Sequence, residues 1–90
     1  MEQDKKQYKQ YPRGTVGTYH LILLNDDVND FDYVIRSLVE VCGFDYEKAE
    51  QCTLLTHLKG EYPILSSQDV GYLEKIHFQL SEKNIGTKIK

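Results

Sequence analysis

Four aspartates and two asparagines lie within residues 25–32, and this segment contains no Lys or Arg. The first three of these residues, Asn25, Asp26 and Asp27, directly follow the apolar run at residues 21–24. Carboxylates grouped at the end of a rigid strand can bind a cation through charge-assisted hydrogen bonds. That cation could be a metal ion, a lysine side chain or a free amino group, and its identity decides the function.

A calcium loop is the first alternative, because Asn25, Asp27 and Asn29 occupy alternating positions as at the start of such a loop. An EF-hand loop also requires Gly at its sixth position and a bidentate Glu at its twelfth. Counted from Asn25, those positions hold Asp30 and Arg36. The sequence therefore argues against calcium at this segment.

The three histidines and two cysteines lack the close paired spacing of a structural zinc site, so we expect no metal and no cofactor. Cys52 and His57 could form a catalytic pair, but five positions along a helix place two side chains on adjacent faces. The sequence contains no nucleophile elbow, phosphate loop or zinc-protease motif. A small hydrolase or metalloprotein is thus the least favoured class, and we expect no enzymatic activity.

Recognition of an amine is the third alternative. His57 falls in the last turn of a predicted helix, where a histidine is most often only a favourable partner of the helix dipole. An acid-rich turn after a strand is likewise usually just solvated. If that helix ends beside the strand tip, however, Asn25 and His57 offer acceptors and Asp26 offers charge to an ammonium group. Phe31 and Val34 would then line a neighbouring apolar pocket.

The first half of the chain predicts one strand and two helices that would position these residues. Residues 18–24 are rich in β-formers and predict a strand, and the continuous apolar run at residues 21–24 is typical of a strand covered on at least one face. Apolar residues at helical spacing predict a helix from about residue 31 to the terminating Gly43, capped by Asn29 or Asp30. A second helix is capped by Asp45 and ends at Gly60. Its apolar side is expected to carry Ala49, Cys52, Leu55 and Leu58.

The second half predicts a strand at residues 61–65, a third helix and a last short strand at residues 85–89. Pro63 indicates an edge strand because proline cannot donate to a β-ladder. The third helix is expected to open at Ser66 or Ser67 through a capping box. The order β-α-α-β-α-β indicates an α+β domain with three helices on one face of a three-stranded sheet.

Length, charge and cysteine usage narrow the class further. Ninety residues allow one small domain, and we place it at residues 18–90 behind a flexible arm at residues 1–17 that has no apolar period. The net charge of −3 gives no basic face for nucleic acid. The longest apolar run is far too short to span a membrane. Two cysteines without a close spacing predict a reduced, cytoplasmic protein.

Several motifs resemble those of the ClpS adaptor family, and the similarity extends over about residues 18–75. They are Leu-Asn-Asp-Asp at residues 24–27, Phe-Asp-Tyr-Val-Ile at 31–35, Gly-Phe-Asp-Tyr-Glu-Lys-Ala at 43–49 and His-Leu-Lys-Gly at 57–60. The resemblance implies helices packed on a three-stranded antiparallel sheet. It also implies an adaptor that catalyses nothing itself. Such an adaptor binds the N-terminal residue of a substrate, typically Leu, Phe, Tyr or Trp, and delivers the substrate to a ClpA- or ClpC-like AAA+ unfoldase.

By this resemblance, the α-amino group would be held by Asn25, Asp26 and His57. The side-chain pocket would be lined by Phe31, Val34, Thr53 and Thr56. The arm at residues 1–17 would engage the unfoldase during delivery, and the third helix would contact it through Asp69, Glu74 and Lys75.

Some of these positions depart from the family pattern. Phe31 stands where Met is usual, and Thr53 and Thr56 stand where Met and Val are usual. The two hydroxyls predict a more polar pocket and an altered preference for the substrate residue. They also leave open an alternative, a degenerate adaptor that docks on the unfoldase without binding N-terminal residues. A reversed charge at the third helix would change which unfoldase is the partner.

Overall fold

The computed structural model describes residues 17–90, so the predicted arm, except for Gly17, lies outside the described residues. The elements are, in order, β1 (Tyr19–Leu24), α1 (Phe31–Cys42), α2 (Tyr46–Lys59), β2 (Glu61–Ser67), α3 (Val70–Glu82) and β3 (Thr87–Ile89). The strands form an antiparallel sheet in the order β2-β1-β3. The predicted α+β fold and its β-α-α-β-α-β order are confirmed. No helix among residues 17–90 is long and apolar enough to cross a membrane.

The central strand β1 carries the core of the sheet. Leu21 and Leu23 share one face of the strand, because side chains alternate, and both are fully buried in a cluster with residues of all three helices. The helices therefore pack on that face. Pro63 lies in β2, which is an edge strand as predicted. The register shifts beside it: Leu21 pairs with Leu65 and Ile22 pairs with Pro63.

Glycines and an aspartate set the limits of α1 and α2 as the sequence predicted. Gly43 ends α1 in the left-handed region at φ 73°, and its N–H donates to the Val39 carbonyl. The Asp45 carboxylate caps α2 by accepting a 2.8 Å hydrogen bond from the Lys48 N–H. Gly60 ends α2 at φ 89°. A fixed exit from α2 matters because His57 lies in its last turn.

The predicted start of α3 was wrong. The helix begins at Val70, and its cap is Asp69, whose carboxylate accepts from the Tyr72 N–H at 3.2 Å. Ser66 and Ser67 instead extend β2, because both pair with the first residues of β1. Pairing of Ser66 and Ser67 with β1 therefore takes the place of the local capping box that their residue types allow.

The predicted apolar side of α2 was partly wrong. Leu58 is 68% exposed, and Leu55 is only half-buried. The residues of α2 that are buried against the rest of the domain are Ala49, Cys52, Thr53 and Thr56. The buried stripe of α2 therefore includes two threonines. Their burial is possible because both hydroxyl groups donate to backbone carbonyls of the same helix.

Candidate functional site

The tip of β1 meets the end of α2, which is the packing that an amine site requires. The Asn25 N–H donates a 2.9 Å hydrogen bond to the Gly60 carbonyl, directly after α2 ends. This bond brings the turn after β1 beside the last turn of α2, where His57 lies. Between them is a cavity of about 220 Å³.

One side of this cavity is polar. It is lined by Asn25, Asp26, Asp27, Asn29 and His57. The three residues expected to hold an amino group are therefore brought together, although 31 positions separate Asp26 from His57 in the sequence. Asp27 and Asn29 are additional members that the sequence interpretation left in the turn.

The rest of the cavity wall is mainly apolar. It is formed by Leu23, Leu24, Phe31, Val34 and Ile85, together with Thr53 and Thr56. All four residues predicted for a side-chain pocket are present. Ile85 was not foreseen, since it arrives from the connection between α3 and β3 and no spacing in the sequence links it to the strand tip. The volume lies below the ~300–1,000 Å³ of sites for drug-sized ligands, which suits a single amino-acid side chain.

Asp26 folds the turn that follows β1. Its Oδ1 accepts from the N–H groups of Val28 at 2.9 Å and Asn29 at 2.8 Å, and its Oδ2 accepts from Asn29 Nδ2 at 3.2 Å. Partial burial raises the pKa of this carboxyl, but the three hydrogen bonds outweigh it and hold the pKa below the ordinary value of 3.8. Asp26 is therefore a fixed, ionised carboxylate at the cavity, and its Oδ2 keeps acceptor capacity.

Asp27 has a different environment from its neighbour. It is exposed, lines the same cavity and makes no hydrogen bond or ion pair in the described part of the chain. The turn is supported by the carboxylate of Asp26, and the carboxylate of Asp27 makes no bond to it. Among residues 17–90, the side chains of Asn25 and His57 are likewise without hydrogen bonds. Three polar side chains at the cavity thus have unused acceptor atoms.

The His57 imidazole is placed by an aromatic contact. The rings of Phe31 and His57 lie 5.6 Å apart, centroid to centroid, at an interplanar angle of 82°. This edge-to-face arrangement is one that aromatic pairs prefer. Phe31 is 42% exposed, unlike the core residues of α1, because it stands at the cavity rather than in the core. The contact joins the polar side of the cavity to its apolar wall.

Both cavity threonines have their hydroxyl donors engaged within α2. Thr53 Oγ1 donates to the Ala49 carbonyl at 2.8 Å, and Thr56 Oγ1 donates to the Cys52 carbonyl at 2.7 Å. These bonds to the preceding turn allow the hydroxyls to be buried without an unsatisfied donor. The pocket is consequently less polar than the two side chains suggested, because neither hydroxyl offers a free donor.

The residues predicted to contact an unfoldase lie away from the cavity. Asp69 caps α3, while Glu74 and Lys75 lie in the second turn of that helix. The carboxylate of Asp69 already accepts from the backbone of α3. The three residues therefore share one helix but do not take part in the site at the strand tip.

The two cysteines are placed for packing. Burial raises the pKa of the Cys42 thiol to about 11, with a further increase from neighbouring Cys52, and burial also raises the pKa of Cys52. A thiol that stays protonated near neutral pH is a weak nucleophile. Neither cysteine lines the cavity, so the Cys52–His57 pairing does not occur there. Residues 17–90 contain no cluster of three His, Cys, Asp or Glu side chains suited to a metal ion.

Comparison with known proteins identifies the family. The family model described as ATP-dependent Clp protease adaptor protein ClpS matches residues 15–80, and the chain belongs to the ClpS family. The fold is similar to the solved structure of Agrobacterium tumefaciens ClpS2 bound to L-phenylalaninamide. The TM-score is 0.75, and the match covers 84% of this chain and 98% of that chain at 16% sequence identity. A search of curated proteins found no match.

Proposed function

We propose that this protein is an adaptor that binds substrates by their N-terminal residue and delivers them to a Clp-family AAA+ unfoldase for ATP-dependent proteolysis in the cytoplasm. The observation that supports this proposal is the cavity at the tip of β1, where unused polar acceptors on one side adjoin an apolar wall on the other. A free α-amino group with a bulky apolar side chain matches both sides. The adaptor itself would catalyse no reaction.

The polar side suits the geometry of an ammonium group, which has three N–H donors and no acceptor. Asn25 and a neutral His57 would each accept one hydrogen bond. The carboxylate of Asp26, through Oδ2, would supply charge, and the unbonded carboxylate of Asp27 would add to it. Charge-assisted bonds of this kind are stronger than bonds between neutral groups.

The apolar side would take the side chain of the same N-terminal residue. Phe31, Val34, Thr53 and Thr56 form the predicted pocket. The similar ClpS2 structure contains L-phenylalaninamide, a molecule with a free α-amino group beside a benzyl side chain. That chemistry is what this cavity is proposed to accept.

The test compares two forms of one peptide with N-terminal Phe, one with a free amino group and one acetylated. We expect the free peptide to bind in a fluorescence anisotropy titration and the acetylated peptide not to bind, because acetylation removes the charge and two donors. A peptide with N-terminal Asp serves as the control for the apolar wall. Equal binding of the free and acetylated peptides would overturn the proposed amine recognition.

The alternative is a degenerate adaptor that docks on the unfoldase without reading N-termini. The polar side chains of Thr53 and Thr56 suggested this alternative. It is less favoured because both hydroxyls already donate to carbonyls within α2. It predicts binding to the unfoldase with no affinity for any peptide in a panel of twenty first residues. The proposed unfoldase contact through Asp69, Glu74 and Lys75 is common to both alternatives.

A further inference from the structure

The side-chain amide of Asn29 joins two parts of the chain that are distant in sequence. Its Nδ2 donates to Asp26 Oδ2 at 3.2 Å and to the Asn84 carbonyl at 2.8 Å. A primary amide has two hydrogens, so both are used. The backbone N–H of Asn29 adds a third bond, to Asp26 Oδ1 at 2.8 Å. No capping role for this residue accounts for the bond to Asn84.

The Asn84 carbonyl, which accepts from the Asn29 side chain, lies in a hydrogen-bonded turn. Asn84 adopts φ 64°, a left-handed conformation that few side chains other than Asn tolerate, and its N–H donates to the Ser81 carbonyl at 2.9 Å. Two residues later, the Gly86 carbonyl accepts from the Leu24 N–H at 3.0 Å. The connection between α3 and β3 is therefore tied to the end of β1, and the Asn84 carbonyl is a fixed acceptor.

The bonds of Asn29 restrict how an amine can approach Asp26. Oδ1 of Asp26 already accepts two backbone N–H groups, and Oδ2 accepts one side-chain donor. The remaining acceptor capacity is on Oδ2, the atom that Asn29 Nδ2 holds. The backbone N–H groups of Val28 and Asn29 hold Oδ1, and the Asn29 side chain holds Oδ2, so this side chain contributes to the orientation of the carboxylate at the cavity.

A second bond offers an internal comparison. The Tyr33 hydroxyl donates to the Lys83 carbonyl at 2.9 Å, one residue before Asn84. Like the bond of Asn29, it attaches the chain near the start of α1 to the chain that follows α3. Unlike Asn29, Tyr33 does not line the cavity and has no bond to Asp26. Substitution of Tyr33 therefore removes a bond to the chain after α3 without removing a bond to Asp26.

We propose that Asn29 is a positioning residue of the amine-binding site: it is anchored by the Asn84 carbonyl and holds the Asp26 carboxylate in its binding orientation. This rests on the proposed function, since it assigns Asn29 a part in the same site. Asn29 would contribute to affinity for a free N-terminus through Asp26, beyond any contribution to stability.

The test compares Asn29→Ala with Tyr33→Phe in the full chain. The Asp26 carboxyl is titrated by residue-resolved carbon NMR without peptide, which separates it from Asp27 and His57. In Asn29→Ala we expect the pKa of Asp26 to rise, because one hydrogen bond to its charged form is lost. Tyr33→Phe should leave that pKa unchanged. Affinity for the free peptide with N-terminal Phe should fall about five- to thirtyfold in Asn29→Ala, which corresponds to about 1–2 kcal/mol, and less than about twofold in Tyr33→Phe.

An unchanged Asp26 titration in Asn29→Ala, or an equal loss of affinity in both variants, would overturn the positioning role. Should Asn29→Ala fail to fold, Asn29→Ser is used, because serine is compatible with the turn but cannot reach both acceptors. If the wild-type protein binds no free peptide, the proposed function fails. The Asp26 titration then still decides whether Asn29 orients the carboxylate.

Discussion

At the scale of single residues, the two adjacent aspartates after β1 show how neighbours of identical chemistry take different parts. Asp26 has three hydrogen bonds from its own turn, and Asp27 has none among residues 17–90. An Asx turn requires its carboxylate for the backbone. Asp26 therefore keeps acceptor capacity only on Oδ2, whereas both oxygens of Asp27 are without bonds in the described part of the chain.

The pair Asp26→Ala and Asp27→Ala separates folding from binding. We expect Asp27→Ala to leave the free energy of unfolding within about 0.5 kcal/mol of wild type, as for an exposed residue. It should weaken binding of a free N-terminal peptide about 10- to 150-fold, as for the loss of one charge-assisted hydrogen bond. Asp26→Ala should weaken binding and also lower stability, because the turn loses its acceptor. Urea titrations and peptide titrations measure the two effects. Unaltered binding in Asp27→Ala would remove that residue from the proposed site.

The members of the proposed site were largely predictable, but their bonds were not. The residue types alone predicted a buried strand that ends before Asn25 and a helix that ends at Gly60. Together these two ends bring His57 to the strand tip. The bond from Asn29 to the Asn84 carbonyl spans 55 positions. No spacing rule joins two such residues, because tertiary packing of α3 decides where that carbonyl lies.

At the scale of elements, α1 and α2 begin with the same residue type in different ways. Asp45 caps α2 with its side chain, whereas Asp30, at the equivalent position of α1, makes no side-chain capping bond. The sequence favoured a cap at both helices. It could not show that the turn formed by Asp26 would hold the chain entering α1 in place of a side-chain cap.

The two caps give a matched prediction. Asp45→Ala should lower the free energy of unfolding by about 0.5–2 kcal/mol, because the Lys48 N–H loses its acceptor. Asp30→Ala should change it by clearly less, since no capping bond is lost. Chemical denaturation followed by circular dichroism measures both. An equal loss of stability in the two variants would contradict the assignment of the caps.

At the scale of the whole molecule, one core connects the sheet with all three helices. Only a small number of its large side chains are completely buried. Leu21, Leu23, Leu38, Leu73, Leu80 and Ile85 are the largest fully buried side chains in the described part of the chain. A single small domain has a small margin of stability, typically about 5–15 kcal/mol. Each of these side chains therefore represents a substantial share of it.

Leu38→Ala and Leu58→Ala test this distribution with the same chemical change. Leu38 is fully buried, and its truncation should cost about 2–5 kcal/mol through lost burial and the cavity left behind. Leu58 is 68% exposed, so its truncation should stay within about 0.5 kcal/mol. Urea denaturation measures both. A large loss in Leu58→Ala would mean that the exposed side of α2 is covered in solution.

The position of Pro63 has a consequence for the protein at high concentration. An edge strand presents unpaired N–H and C=O groups that can pair with the edge of another molecule, which leads to aggregation. Pro63 removes one donor from β2, and the shifted register beside it interrupts a regular ladder. The opposite edge, β3, is only three residues long. Within the described residues, both edges of the sheet therefore present an interrupted or short ladder to an incoming strand.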